Sequence, residues 1–321
     1  MNIPETLRVE LDQLALEFNN KDLVADAQKI SQKYRDNKGA NLHLLSTKKE
    51  AVAYSVSRMP ATFASCHFAL SHTFEFVDTP PKSMLDMGSG TGAATWAALE
   101  LLNLDSIDCL EREKSMIEIS QKLMNNLDTP TKINWQAFDL RRDSIDKKYD
   151  MVVAAYVLNE FTDSERLEIL QNLWNATDDL LIIIEPGTPQ SFEKMKEMRT
   201  ILLQNGGHII APCTHENCCD IKDGDWCHFS CRVTRSKVHK LTKQGEASFE
   251  DEKFTYLAFS KKQNKRATKR ILRHPIYQPK IVTLQLCTEN GIKKEVVSKS
   301  NKLYKKARDV VTGDSFENSE V

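Results

Sequence analysis

The sequence predicts an α/β fold: a doubly wound parallel sheet with an N-terminal helical region and a cysteine-rich insertion. Three observations lead there. Short apolar runs alternate with amphipathic segments between residues 83 and 204, the pattern of a parallel sheet covered by helices on both faces. A glycine-rich turn, Gly88-Ser-Gly90-Thr-Gly92, follows the first of those runs. Five of the eight cysteines fall between Cys213 and Cys231, in a stretch without helix or strand periodicity.

Taken in order, residues 4–36 place Leu7, Leu11, Leu14, Leu16, Leu23, Val24, Ala27 and Ile30 at helical spacing with charges between them, which predicts an amphipathic helix. Helix is expected again over 47–59, where Val52, Val56 and Met59 mark one face and Pro60 ends it. The apolar stretch 62–75 reads as a packed helix. The first strand, Ser83-Met-Leu-Asp-Met87, runs into the glycine turn and an alanine-rich helix over 93–102. Strands follow at 107–111, 133–138, 149–157 and 179–185, with helices over 115–127, 163–177 and 192–204. The nearly continuous apolar fourth and fifth strands suit positions buried on both faces. Beyond the cysteines, 254–260 and 280–287 read as strands that complete the same sheet. That makes 208–249 an insertion in a domain formed by 76–207 and 250–290. Residues 1–75 are then a helical region and 291–321 a basic extension, whose polar tail beyond Thr312 is expected to be disordered.

Length and composition bound the function. The 321 residues suffice for about two domains of the usual ~150 residues. No apolar run approaches the ~18 residues of a spanning helix, so a membrane role is not expected. The N-terminus lacks the basic and apolar regions of a secretory signal and is too acidic for a transit peptide. A cytosolic, most simply bacterial, address follows, and there eight cysteines do not form a disulfide framework. The net charge of −1 hides a segregation. Residues 228–310 hold 21 Lys/Arg against 7 Asp/Glu, whereas residues 1–227 hold 23 against 35.

The turn Asp86-Met-Gly88-Ser-Gly90-Thr-Gly92 lies where a doubly wound sheet meets an adenosine-containing cofactor. Glycine permits the tight turn and a close backbone approach to the ligand. The spacing also fits a dinucleotide fingerprint, but Asp86 would oppose a pyrophosphate and suits the cationic end of S-adenosylmethionine. The early third glycine is the pattern of S-adenosylmethionine-dependent methyltransferases, whose sheet is Rossmann-like. A P-loop is excluded, since no Gly-Lys-Ser/Thr follows. Glu111, 19 residues after Gly92, is placed to accept the ribose hydroxyls, and Asp139 to read the adenine amino group. After the fourth strand, Ala155-Tyr-Val-Leu-Asn-Glu160 stands where an amino-methylating enzyme carries Asn-Pro-Pro-Tyr, and Asn159 and Glu160 there suit either a substrate contact or a polar helix start. A nucleophilic cysteine for pyrimidine carbon-5 methylation is also lacking there, so no catalytic base is assigned.

In the cysteine segment, Cys213, Cys218, Cys219, Cys227 and Cys231 interleave with His215 and His228. Soft thiolates select zinc or iron–sulfur clusters, and four of them close a site. The spacings Cys213-x4-Cys218 and Cys227-x3-Cys231 leave both metals open. Cys66 and Cys109 read as small buried apolar residues.

The basic third is densest at residues 261–273, with seven cations and no acid. Lys265, Arg266, Lys269, Arg270 and Arg273 are candidate phosphate contacts. Arg232 and Arg235 are candidates nearer the cysteines, and Lys293, Lys294, Lys299, Lys302, Lys305, Lys306 and Arg308 continue the theme. Such density attracts a polyanion with little sequence information.

Linked motifs then carry a resemblance. Glu185-Pro-Gly-Thr-Pro189, Ala211-Pro-Cys-Thr-His-Glu, Asp225-Trp-Cys-His-Phe-Ser, Arg232-Val-x-Arg235, His239-Lys240 and Glu250-Asp-Glu-Lys-Phe-x-Tyr256 follow one another. In this order they resemble the methyltransferase-like family associated with the small ribosomal subunit in bacteria and mitochondria. The likeness extends to about Cys287. It implies a four-iron, four-sulfur cluster on Cys213, Cys219, Cys227 and Cys287 in a structural role, with Cys218 and Cys231 as extra thiols. It also implies ribosomal RNA as the polyanion. Two functions follow as expectations: a methyltransferase acting on RNA or protein of the small subunit, or a non-catalytic assembly factor on the same fold. A free monomer is expected.

Overall fold

A computed structural model of the chain describes residues 1–36, 47–222, 224–243 and 245–317. The N-terminal helices are α1 (Glu5–Leu16), α2 (Asn20–Asp36), α3 (Lys48–Ser57) and α4 (Met59–Phe74). The alternating region follows as β1 (Ser83–Met87), α5 (Ala93–Leu101), β2 (Ser106–Glu111), α6 (Lys114–Met124), β3 (Lys132–Ala137), β4 (Tyr149–Ala155), α7 (Asp163–Asn175), β5 (Thr177–Pro186) and α8 (Pro189–Gln204). The remainder comprises β6 (His208–Ala211), β7 (Phe229–Thr234), α9 (Lys237–Lys243), β8 (Phe249–Ser260), β9 (Lys269–Ile271), β10 (Ile276–Gln278), β11 (Ile281–Thr288), β12 (Gly291–Ser298) and α10 (Tyr304–Asp309).

These elements form two compact units. The first is built from Met1–Phe68, Pro81–Asp178 and Cys231–Glu252, the second from Ala69–Pro80, Asp179–Ser230 and Lys253–Val321. The stretch expected as one insertion, 208–249, is therefore divided between them.

In the first unit β1 pairs in parallel with β2 and β4, and β2 with β3, giving the order β3-β2-β1-β4. This is the doubly wound arrangement that strand–helix alternation predicts, with β1 buried from Met84 to Met87. Capping boxes fix two helix starts: Thr47 with Glu50 for α3, and Thr162 with Glu165 for α7. Each satisfies amides that the helix itself leaves unpaired. Pro60 stands in the first turn of α4, where a missing N–H is harmless, and so opens a helix as well as following one.

The second unit adds antiparallel pairing, β5 with β8 and β8 with β6. The fold class is thus α/β with both pairing modes. Residues 281–288 do not complete this set. As β11 they pair antiparallel with β9, β10 and β12 in a separate four-stranded sheet. The reason is legible in Ile281-Val-Thr-Leu-Gln-Leu-Cys-Thr288, whose strict alternation buries Val282, Leu284 and Leu286 and leaves the other face half-buried. Val297, Ala307, Val310 and Phe316 close that core. Residues 313–317, expected to be disordered, are held by Phe316, which is fully buried. The last four residues lie outside the described ones.

Candidate functional site

The first unit carries a cavity of about 100 Å³ at the carboxyl ends of its parallel strands, lined by Gly88, Gly90, Glu111 and Asp139 together with Tyr54 and Glu160. Open α/β sheets bind ligands at this end. The turn is pinned by Gly88 N and Ser89 N, both donating to Leu110 O, at 2.8 and 3.1 Å. Gly88 has φ +64°, and a Cβ there would stand 2.4 Å from Val157 Cγ2. Only glycine meets both conditions. Gly92, at φ +86°, is needed for packing instead: its Cβ would reach Met124 Cε at 2.4 Å, and it is not part of the cavity wall.

Glu111 is held from both sides. Its Oε2 accepts from Gly90 N at 2.9 Å and its Oε1 from Glu113 N at 2.8 Å. Each carboxylate oxygen has two acceptor sites, so capacity for two further hydroxyls remains. Burial raises its pKa. Asp139 opens a turn in which its Oδ1 accepts from Arg141 N at 3.1 Å. Glu160 ends a 3-10 turn (Leu158–Glu160) after β4, and burial, reinforced by the charge of Glu111, pushes its carboxyl up to about 7. Tyr54, on α3, is pushed up to about 12 by burial. Tyr156 adopts φ +61°, rare for a bulky residue. Its hydroxyl lies 3.0 Å from Ser65 Oγ and 3.1 Å from Glu252 Oε1.

Asp86 departs from expectation. It is fully buried and absent from the cavity wall. Its Oδ2 accepts from Thr95 N at 3.1 Å and from Thr95 Oγ1 at 2.7 Å. The acid expected at the cofactor's cationic end instead fastens α5 to β1. Among the other residues the sequence singled out, Gly88, Gly90, Glu111 and Asp139 come together. Tyr54 and Tyr156 escaped sequence reasoning, because nothing in the spacing of an N-terminal helix ties Tyr54 to a loop some 35 residues later.

The second unit brings Cys213, Cys219, Cys227 and Cys287 around one cavity, with Arg199 and His215 also on its wall. Cys218 is exposed, and Cys231 belongs to the first unit, where its Sγ faces Glu252 O at 3.9 Å. Cys287 enters on β11, with Thr214 Oγ1 3.5 Å from its Sγ. Arg199 Nη2 donates to His215 O at 3.0 Å and Asn217 O at 2.7 Å, anchoring the cysteine loop to α8. Two resemblance motifs meet beside it, as Trp226 Nε1 donates to Gly187 O at 2.9 Å. Burial raises the Cys213 thiol to about 11 and the Cys219 and Cys227 thiols in the same direction. Among the described residues no three His, Cys, Asp or Glu side chains stand close enough to hold one metal ion. The four thiols make a chemically soft donor set on the wall of one cavity.

The basic candidates divide by accessibility. Arg270 is fully buried, with Nε 3.3 Å from Pro212 O and Nη1 2.9 Å from Gly313 O, so its guanidinium is structural and not a phosphate contact. Five others pair with acids: Arg232 with Asp251, Arg235 with Glu250, Arg266 with Glu216, Lys269 with Glu295 and Arg273 with Asp225. Lys265 is exposed, as are Lys293, Lys294, Lys299 and Lys302.

No helix among the described residues is long and apolar enough to cross a membrane. The chain is 25% identical to the human mitochondrial ribosome assembly protein METTL17 over 97% of its length and 73% of that protein's. It is 27% identical to mitochondrial Rsm22-cox11 tandem protein 2 of Schizosaccharomyces pombe over 64% of its length, spanning 30% of that relative. Among solved structures it is similar to the magnesium protoporphyrin IX methyltransferase of Synechocystis with bound S-adenosylmethionine, at 13% identity and a TM-score of 0.42, covering 76% of this chain and 97% of that one. The family model described as mitochondrial small ribosomal subunit Rsm22 matches residues 48–317, so the chain belongs to the Rsm22 family.

Proposed function

We propose that this chain is a methyltransferase-like assembly factor of the small ribosomal subunit. In this reading it binds S-adenosylmethionine in its first unit and a four-iron, four-sulfur cluster in its second. The observation that carries it is the cavity where Gly88, Gly90, Glu111 and Asp139 meet at the carboxyl ends of the parallel strands, in a chain of the Rsm22 family. Gly88 and Gly90 offer close backbone approach, Glu111 accepts the ribose hydroxyls, and Asp139 reads the adenine edge. Bound S-adenosylmethionine supplies an electrophilic methyl group. Gly92 and Asp86 support the turn from behind.

Cys213, Cys219, Cys227 and Cys287 would hold the cluster, which joins the cysteine loop to β11 as a structural clamp. Zinc is the competing occupant. Ribosomal RNA is the proposed polyanion, met by Lys265 and by the exposed lysines of β12 and the segment after it. The paired Arg232, Arg235, Arg266, Lys269 and Arg273 contribute less, because a phosphate has to displace an acid from each. The protein acts as a monomer in the compartment of its ribosome. The sequence suggested the cytosol, whereas the names of the relatives place those proteins in mitochondria.

Calorimetric titration with S-adenosylmethionine tests the cavity, and labelled S-adenosylmethionine added to small subunits from a deletion strain tests turnover. Binding with methyl transfer makes the chain an enzyme, and binding without transfer makes it a non-catalytic assembly factor. Absence of both cofactor binding and subunit association overturns the proposal.

A further inference from the structure

Two acids on the wall of the first unit's cavity have no task in binding the ligand, Glu113 and Glu160, and Glu113 is paired with Arg112 at 3.1 Å. We propose that Glu160 holds the cationic methionyl end of the adenosyl ligand, the place that sequence pattern gives to Asp86. The inference rests on the cofactor reading above and adds to it the residue that selects for ligand charge.

Three observations support it. Asp86 is fully buried, is absent from the cavity wall, and accepts two hydrogen bonds from Thr95 through one oxygen. It cannot reach a ligand without releasing the start of α5. Glu160 lines the cavity itself, on the turn that follows β4, whose neighbour Val157 packs against Gly88 of the glycine turn. A ligand whose ribose meets Glu111 carries an ammonium and a sulfonium within a few bonds of that sugar, and an acid on the same wall is their natural counter-charge. Finally, the wall is aromatic as well as acidic, with Tyr54, Tyr156, Phe138 and Phe161 on it, which suits a weakly hydrated cation.

The groups facing Glu160 decide how it behaves. Glu111 and Glu113 oppose its ionisation, whereas Arg112 and Arg141 favour it. Both arginines are engaged elsewhere: Arg112 Nη2 lies 3.1 Å from Glu113 Oε1, and Arg141 Nε lies 3.0 Å from Glu165 Oε1 while its guanidinium covers Phe161. Burial dominates and holds the Glu160 carboxyl near 7. A cation arriving beside Glu160 favours its carboxylate form, so binding near neutral pH releases a proton from it.

The test compares wild type with Glu160→Gln in titrations of S-adenosylmethionine, S-adenosylhomocysteine and 5′-methylthioadenosine. The second lacks the sulfonium and the third lacks both cations. The variant is expected to bind S-adenosylmethionine about tenfold or more weakly, as for loss of a charge-assisted contact. Its affinity for 5′-methylthioadenosine should be unchanged, which also shows that it is folded. Weakening of S-adenosylhomocysteine to the same degree assigns the contact to the ammonium, and its sparing assigns it to the sulfonium. Repeating the titration at pH 7 in buffers of different ionisation enthalpy should show proton release by wild type and not by the variant. Equal affinities of wild type and variant for S-adenosylmethionine overturn the inference while leaving the cofactor reading intact. If wild type binds none of the three ligands, the cofactor reading itself fails and the inference falls with it.

Discussion

Asp86 and Thr95 lock the first strand to the first sheet-covering helix: one carboxylate oxygen takes both the amide and the hydroxyl of Thr95, at 3.1 and 2.7 Å. Burial raises the Asp86 pKa to about 6, although the Thr95 hydrogen bonds pull it back down. The pair therefore organises the fold at an electrostatic cost. Below about pH 4 folded and unfolded chains both keep the proton, and Asp86 adds no pH dependence. As pH rises, the unfolded chain ionises first and stability falls, until the loss is complete above about pH 6. Asp86→Asn keeps an acceptor for Thr95 and removes the charge. Urea unfolding should show the variant equal to wild type near pH 4 and more stable at pH 7, by up to about 3 kcal/mol at ~1.4 kcal/mol per pKa unit. A stability difference independent of pH would show that folding leaves the Asp86 pKa unshifted.

Gly88 faces Val157 from a left-handed backbone. Gly88→Ala should destabilise the protein by about 1–3 kcal/mol, part from the unfavourable φ and part from overpacking. Adding Val157→Ala removes the second part only, so a double-mutant cycle should show partial rescue. Full rescue would mean that backbone strain at this turn is negligible.

Cys218 and Cys231 separate from the other thiols by exposure and by unit. In protein purified without oxygen, Cys218→Ser and Cys231→Ser should retain wild-type iron and sulfide. Cys213→Ser or Cys287→Ser should lose most of both, with loss of the visible absorption of the cluster. Stoichiometric zinc in place of iron would reassign the centre.

Arg270 and the exposed lysines make opposite predictions. Arg270→Ala leaves the carbonyls Pro212 O and Gly313 O without their donor in the interior, and about 2–5 kcal/mol of stability should go with it. Replacing Lys293, Lys294, Lys299 and Lys302 by alanine should leave unfolding unchanged and weaken RNA binding. The log–log salt slope should fall by about 0.7 per lysine that meets a single-stranded phosphate. An unchanged slope moves the RNA surface away from the second unit's small sheet.

What the sequence determined by itself is local. Glycines at 88 and 90, an acid ending β2 and continuous apolar runs in β4 and β5 specify a parallel sheet and the end of it that binds, because period and turn chemistry act over a few residues. The strand over 281–288 is also local in origin, but its partners are not, and it pairs in a separate sheet where the sequence led to the main one. Tertiary structure decided everything that depends on distant partners. It turned Asp86 inward to Thr95, put Glu160 and Tyr54 on the cavity wall, drew Cys287 to Cys213 across more than seventy residues, and buried Arg270. Whether a charge faces water, a ligand or a neighbouring carbonyl is fixed by packing, and residue type alone carries no record of it.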